Sequence, residues 1–181
     1  MNQESDEILV ARSLEGDVPA FGELVARYQR VVYTVALRMS GNAEDARDVT
    51  QTVFLKAWRG LAGFDPGRRF FSWIYRISVH ECLNHRRGRP RFEPLMDVHE
   101  AAGPGPEQSV EAHETEQVVQ CALARLSAGD REILILRHFL DQSYGDIAAT
   151  LGTQEKTVKS RLFAARQRLR AELARSGVQI P

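Results

Sequence analysis

The side chains best placed to do chemistry lie between Phe64 and Arg91, in the stretch FDPGRRFFSWIYRISVHECLNHRRGRPR. The chemistry they suit is capture of a nucleic acid strand, not the making or breaking of bonds. Seven arginines (68, 69, 76, 86, 87, 89 and 91) stand against two acids, Asp65 and Glu81, in a chain of zero formal net charge. Phe64, Phe70, Phe71, Trp73 and Tyr75 are interleaved with them. Guanidinium groups neutralise phosphates, and aromatic rings offer faces on which unpaired bases stack. The competing reading is a basic amphipathic helix whose aromatic residues are core.

Other chemistries find less support. No nucleophile–base pair, glycine-rich phosphate loop or carboxylate cluster is legible, so no catalytic residue and no cofactor is expected. His80, Cys82 and His85 could be read as a metal trio. On a helix, however, Cys82 and His85 point about 160° and about 140° away from His80, so no metal site is expected. Two cysteines, Cys82 and Cys121, are too few for a disulfide framework, and reduced thiols are the simplest expectation. A redox or metal sensor built on them and nearby histidines is the weakest of the functional alternatives.

Composition sets the frame for these residues. Hydrophobic content of 43% with 27% charged residues suits a soluble globular protein. The apolar runs are interrupted by Arg38 and Arg137, and the acidic beginning MNQESDE lacks the layout of a secretory signal, so a cytoplasmic protein is expected. The zero net charge conceals blocks. Met1 to Asp17 holds five acids and one base, Phe92 to Val118 holds seven acids and no Lys or Arg, and Gln154 to Arg175 holds seven bases and two acids. Two basic blocks with an acidic spacer suggest two nucleic-acid contacts on one flexible chain.

The elements that must position these blocks read as helices throughout, which predicts an all-α protein. Ser5 can cap a first helix with Ile8, Leu9 and Ala11 inside. Asp17 and Pro19 open a second, whose apolar set Phe21, Leu24, Val25, Tyr28, Val32 and Ala36 runs on to Gly41. Asn42 can cap a third reaching Gly60, and a fourth spans about Arg69 to Arg87. These four are expected to form one small helical domain over residues 1–91. Residues 92–113, rich in Pro, Gly and acids, read as a flexible linker. A second helical domain over 114–181 starts with a helix from Val118 to Leu126, followed by one capped at Ser127. A short helix ending at Gly152 and a long one from about Thr153 then give a helix-turn-helix layout.

Helical wheels assign faces to the candidate residues. In the third helix Ala46, Val49, Val53, Phe54 and Ala57 point inward, while Glu44, Asp48, Gln51, Thr52, Leu55 and Arg59 form an outer face. Exposed Leu55 among polar groups hints at a protein partner, with a merely solvated face as the alternative. In the fourth helix Tyr75, Val79, Cys82 and Leu83 look like core, and Trp73, Ile77, His80 and Asn84 align beside Arg76 and Arg87. In the last helix Val158, Leu162, Ala165, Leu169 and Leu173 are core. The opposite side presents Lys156, Lys159, Ser160, Phe163, Ala164 and Gln167, flanked by Arg161 and Arg166. Small and polar groups for base edges with cations for phosphates are what a recognition helix needs.

Three stretches then converge on one family. NAEDARDVTQTVFLKAW resembles the polymerase-binding helix of the extracytoplasmic-function sigma factors, the compact two-domain branch of the sigma-70 family. FFSWIYRISVHECLNHRR resembles that family's −10-reading helix, and SYGDIAATLGTQEKTVKSRLFAARQRL is similar to its −35-reading helix-turn-helix. The resemblance covers about Ile8 to Leu173. It implies a non-enzymatic transcription initiation factor that binds core RNA polymerase, at the β′ coiled coil and β flap, and gives it promoter specificity. Asp48, Gln51, Thr52 and Leu55 would then meet the polymerase. Lys56, Phe64, Trp73, Arg76, Ile77, His80, Asn84 and Arg87 would serve the −10 strand, where a flipped base must be held. Lys156, Thr157, Lys159, Ser160, Arg161, Phe163 and Arg166 would serve the −35 groove. Promoter DNA and an anti-sigma factor are the further partners implied, with a monomeric chain. The family usually has Asn where His80 stands, Glu at Thr52, Gly at Lys156 and Arg at Ala164, which implies altered promoter detail. The alternative is a stand-alone helix-turn-helix regulator, which would leave the outer face of the third helix without a role.

Overall fold

The structure is a computed structural model that describes residues 4–87 and 110–175, with backbone only at 86–87 and 110–114. Within these residues every regular element is helical. The first four are α1 (Asp6–Leu14), α2 (Val18–Ser40), α3 (Ala43–Gly60) and α4 (Phe70–Arg87), with a 3₁₀ turn at Leu61–Gly63 between the last two. The second group is α5 (Val110–Arg125), α6 (Ala128–Leu134), α7 (Tyr144–Leu151) and α8 (Glu155–Arg175). α6 runs into a π-helical turn at Ile135–Phe139.

The helix boundaries follow the capping chemistry. Asp17 accepts a hydrogen bond from the Ala20 amide and Asn42 from the Asp45 amide, so two orphan donors at the starts of α2 and α3 are satisfied. Ser127 and Ser143 do the same for the Asp130 and Asp146 amides at α6 and α7. Gly41 (φ 79°) and Gly152 (φ 64°) end α2 and α7 in the left-handed conformation, which a side chain would penalise.

Three expectations need correction. In α1 the buried residues are Leu9, Val10 and Ser13, while Ile8 and Ala11 are exposed. A short helix has room for a narrow apolar stripe, and here the stripe lies one residue further along. α5 starts at Val110, eight residues before Val118, so the helix takes in 110–113 of the expected linker. The rest of that linker lies outside the described residues, as do the stops assigned to Gly88 and Pro90. Third, Val25, Tyr28, Phe54 and Leu83, all expected inside, pack against the core but are only half-buried.

The two helical groups share a continuous apolar core that includes Leu24, Val35, Ile74 and Tyr75 of the first and Leu123, Ile133, Leu136 and Ile147 of the second. α4 packs on α7, and α2 on α5. Polar contacts reinforce the junction. Fully buried Arg131 donates to the carbonyls of Leu123, Ala124 and Leu126 and, across the junction, to Met39 at 2.7 Å. Arg38 pairs with Glu116 at 2.5 Å, and Gln120 donates to the Leu37 and Arg38 carbonyls. A flexible tether alone would not lead one to expect this closed arrangement.

Candidate nucleic-acid and polymerase interfaces

The stretch Phe64–Arg87 divides into a buried and a presented side. Phe64, Phe70, Phe71, Ile74, Tyr75, Val79 and Cys82 are buried. Phe64 packs its ring 5.3 Å from Trp73 and 5.7 Å from Phe70 by centroid. Phe64 thus belongs to the aromatic core in this arrangement and offers no free face to a base, unlike the expectation for it. Its position just after the 3₁₀ turn points it inward, which the helical wheel of α4 does not cover. Trp73 is half-buried and joins the same cluster. Burial pushes the Cys82 thiol up to about 12, so at neutral pH it is an inert core group. Among the described residues no cluster of metal-ligating groups is present.

On the presented side, Arg76 and His80 are exposed, and Ile77 and Asn84 are half-buried. Arg87 closes α4, with its side chain outside the described residues. Lys56 of α3 reaches this face through one carboxylate. Glu81 is buried, and its Oε2 accepts from Lys56 Nζ at 2.7 Å. Its Oε1 lies 3.3 Å from His80 Nδ1, which is also 3.1 Å from Asn84 Nδ2. Burial raises the Glu81 pKa, but the hydrogen bonds from Lys56 and His80 outweigh it and the net shift is downward, so the carboxylate stays ionised. Sequence reasoning did not single out Glu81. Its only advance signal was an acid at the helix position next to His80 in a basic stretch.

α7 covers part of the same surface. Arg76 Nε donates to the Thr150 carbonyl at 2.9 Å, and Ser72 shares a buried hydrogen bond with the Thr150 hydroxyl. Arg69 pairs with Asp146, and the Tyr75 hydroxyl donates to the Glu132 carbonyl. The hydrogen bond from Ser143, helped by Arg69, lowers the Asp146 pKa.

The candidate recognition face of α8 is open. Lys156, Thr157, Lys159, Ser160 and Arg166 are exposed, and Phe163 is 66% exposed. A large apolar ring left in water on a basic helix marks a surface made to be covered. Val158, Leu162, Ala165 and Leu173 are buried as expected, and Leu169 is half-buried. Lys159 lies over the Tyr144 ring at 5.7 Å, so α7 steadies it from below. Arg161 is half-buried and donates to the Gly129 carbonyl, which makes it a brace for α6 as well as a candidate contact. Arg166 donates to His138 Nε2 at 3.2 Å.

The outer face of α3 is open too. Asp48 and Gln51 are exposed, Thr52 is half-buried, and Leu55 is 50% exposed. Trp58, one turn on, is 39% exposed and packs edge-on against Phe21 at 4.9 Å. It extends the apolar part of this face and was not among the sequence candidates. Asp45, by contrast, is buried on the inner side.

Both helical units have counterparts among known proteins. The sigma-70 region 2 family matches residues 24–92, and the sigma-70 region 4 family matches residues 116–169. The chain is 37% identical to the RNA polymerase sigma factor CnrH of Cupriavidus metallidurans, over 94% of this chain and 95% of that one. It is 34% identical to the ECF RNA polymerase sigma-E factor of Escherichia coli, over 91% and 92% respectively. Among solved structures, CnrH in complex with the cytosolic domain of CnrY superposes with a TM-score of 0.72 at 30% identity, covering 94% of this chain and 98% of that one. The sigma factor RpoE of Bartonella quintana, in complex with the anti-sigma factor NepR, gives 0.67 at 28% identity over 87% and 98%. The chain therefore belongs to the extracytoplasmic-function sigma factors of RNA polymerase, within the sigma-70 family.

Proposed function

We propose that this sigma factor, a transcription initiation factor that directs RNA polymerase to promoters, works through three surfaces. The outer face of α3, with Asp48, Gln51, Thr52, Leu55 and the additional Trp58, docks on the polymerase β′ coiled coil. The presented side of α4, with Arg76, Ile77, His80, Asn84, Arg87 and Lys56 of α3, receives the opened −10 strand. Trp73 and Phe64 line its base. Phe64 can take part only after the aromatic cluster rearranges. α8 enters the −35 major groove with Lys159, Ser160 and Phe163, the Lys159 ammonium reaching a phosphate at the groove edge, while Lys156, Thr157, Arg161 and Arg166 meet the backbone. The C-terminal unit also seats on the β flap. The chain acts as a cytoplasmic monomer without catalysis of its own, and an anti-sigma factor restrains it by covering these surfaces.

The observation that carries this reading is the exposure of Phe163 and its polar neighbours on a helix whose other side packs into the core through Val158, Leu162, Ala165 and Leu173. A stand-alone regulator would account for that helix but not for exposed Leu55 and Trp58. The closed arrangement adds a condition. α4 packs on α7 and α7 on α8, so in the closed arrangement the two faces belong to one packed body. α7 also occupies part of the α4 surface through Thr150 and Asp146, so that surface is fully free for the strand only when the two units part.

The direct test is Lys159→Ala in reconstituted holoenzyme. Promoter binding weakens, and the slope of binding against salt falls by about one phosphate contact. An unchanged affinity and slope would remove Lys159, and with it the proposed register of α8, from the −35 contact.

A further inference from the structure

The carboxylate of Glu81 sits between two residues assigned above to the −10 strand, and the inference rests on that assignment. Its two oxygens are divided between them. Oε2 takes Lys56 of α3, and Oε1 faces Nδ1 of His80. His80 Nδ1 has a second suitor in Asn84 Nδ2. A carboxylate only accepts and an amide nitrogen only donates, so the two neighbours demand opposite things of one ring nitrogen. Carrying a proton, Nδ1 bonds to Glu81; bare, it bonds to Asn84. The outward Nε2 then has the complementary character, acceptor in the first case and donor in the second.

The Asn84 distance is the shorter of the two, 3.1 Å against 3.3 Å, yet a bond to an ionised carboxylate is about twice as strong as a neutral one. Charge therefore decides in favour of Glu81. The same device orients histidines that ligate metals, where an acidic partner on one nitrogen fixes what the other presents. The His80 side chain is 69% exposed while that of Glu81 is 9% exposed, so the carboxylate is hidden from DNA and the imidazole is not.

We propose that Glu81 is a specificity-determining positioning residue: it holds Lys56 beside the strand and fixes the His80 tautomer, so that Nε2 faces the −10 base as an acceptor. At the edge where adenine carries N6 and cytosine N4, such an acceptor favours those amines over the O6 of guanine and the O4 of thymine. Glu81→Gln keeps the shape but can donate an amide hydrogen to Nδ1. The ring then presents Nε2–H, and the preference turns toward carbonyl bases.

Two measurements test this. The first is the −10 base-preference profile of reconstituted holoenzyme carrying wild type, E81Q, H80A or E81Q/H80A. We expect E81Q to shift preference at one −10 position by about tenfold, and E81Q/H80A to match H80A. A profile unchanged by E81Q while H80A alters it overturns the inference alone. A profile unchanged by H80A overturns the assignment of His80 to the −10 strand and the inference together. The second is imidazole nitrogen NMR of the free full-length chain. It should give the Nδ1–H form in wild type and the Nε2–H form in E81Q, and an Nε2–H form in wild type contradicts the proposal even where DNA binding is normal.

Discussion

Ser72 of α4 and Thr150 of α7 share a buried hydrogen bond, 2.9 Å between hydroxyl oxygens, although 78 positions separate them in the chain. The bond ties the helix assigned to the −10 strand to the first helix of the helix-turn-helix. Around it Arg76 binds the Thr150 carbonyl and Arg69 binds Asp146. Arginines available to phosphates in an open molecule are thus occupied by protein acceptors in the closed one. Opening would exchange one set of charge-assisted contacts for another, and its main cost would be exposure of the apolar core that the two units share.

A reversible lock follows from that pair. In a Cys121→Ser background, Ser72→Cys with Thr150→Cys places two thiols within bonding reach, while Cys82 stays buried and unreactive. The oxidised protein is expected to lose promoter-directed transcription by at least about tenfold, and reduction should restore it. Equal activity in both redox states would show that the units need not part.

Arg131 is the buried cation of the junction, with four backbone carbonyls as acceptors. Replacing it by Leu removes the side-chain donor from all four, and although the Leu123 carbonyl keeps the Leu126 amide, each carbonyl left unpaired where water cannot reach costs about 1–3 kcal/mol. Arg131→Leu should lower unfolding stability by about 3 kcal/mol or more, read from the urea midpoint. A loss under about 1 kcal/mol would mean that the Met39 contact across the junction contributes nothing.

Glu132 gives the fold a pH dependence. Burial raises its pKa above the ordinary 4.5, with Arg161 and Arg76 offsetting only part of the effect. A carboxyl raised in the folded state favours the fold when protonated. Its contribution is therefore fully present below pH 4.5 and is lost as pH rises through the folded value. Glu132→Gln should stabilise the protein at pH 7.5, and the gain should shrink toward pH 4.5. Urea melts of both proteins at the two pH values check the sign; a gain that grows on acidification would refute it.

Much of this was legible in the chain because it is local. The capping residues Asp17, Asn42, Ser127 and Ser143 announce their helices within three positions, and the α8 wheel separates Leu162 from Phe163 without any tertiary knowledge. What was missed depends on partners distant in sequence. Phe64 carries a base-stacking side chain, but Phe70 and Trp73 close over it. Glu81 looks like a stray acid until α3 brings Lys56 against it. Ser72, Tyr75 and Arg76 give no sign in sequence that α7 and α6 will meet them. The start of α5 is hidden in the sequence by acids and a nearby Pro/Gly run, because the helix gains its support from contacts of Glu116 and Gln120 with α2.

The central claim, promoter-directed initiation, is tested most directly by run-off transcription with purified core polymerase on a genomic fragment library. Discrete transcripts that depend on this chain and share −10 and −35 elements at constant spacing are expected. Tight duplex binding without polymerase, and no promoter-specific transcript from any fragment, would contradict it.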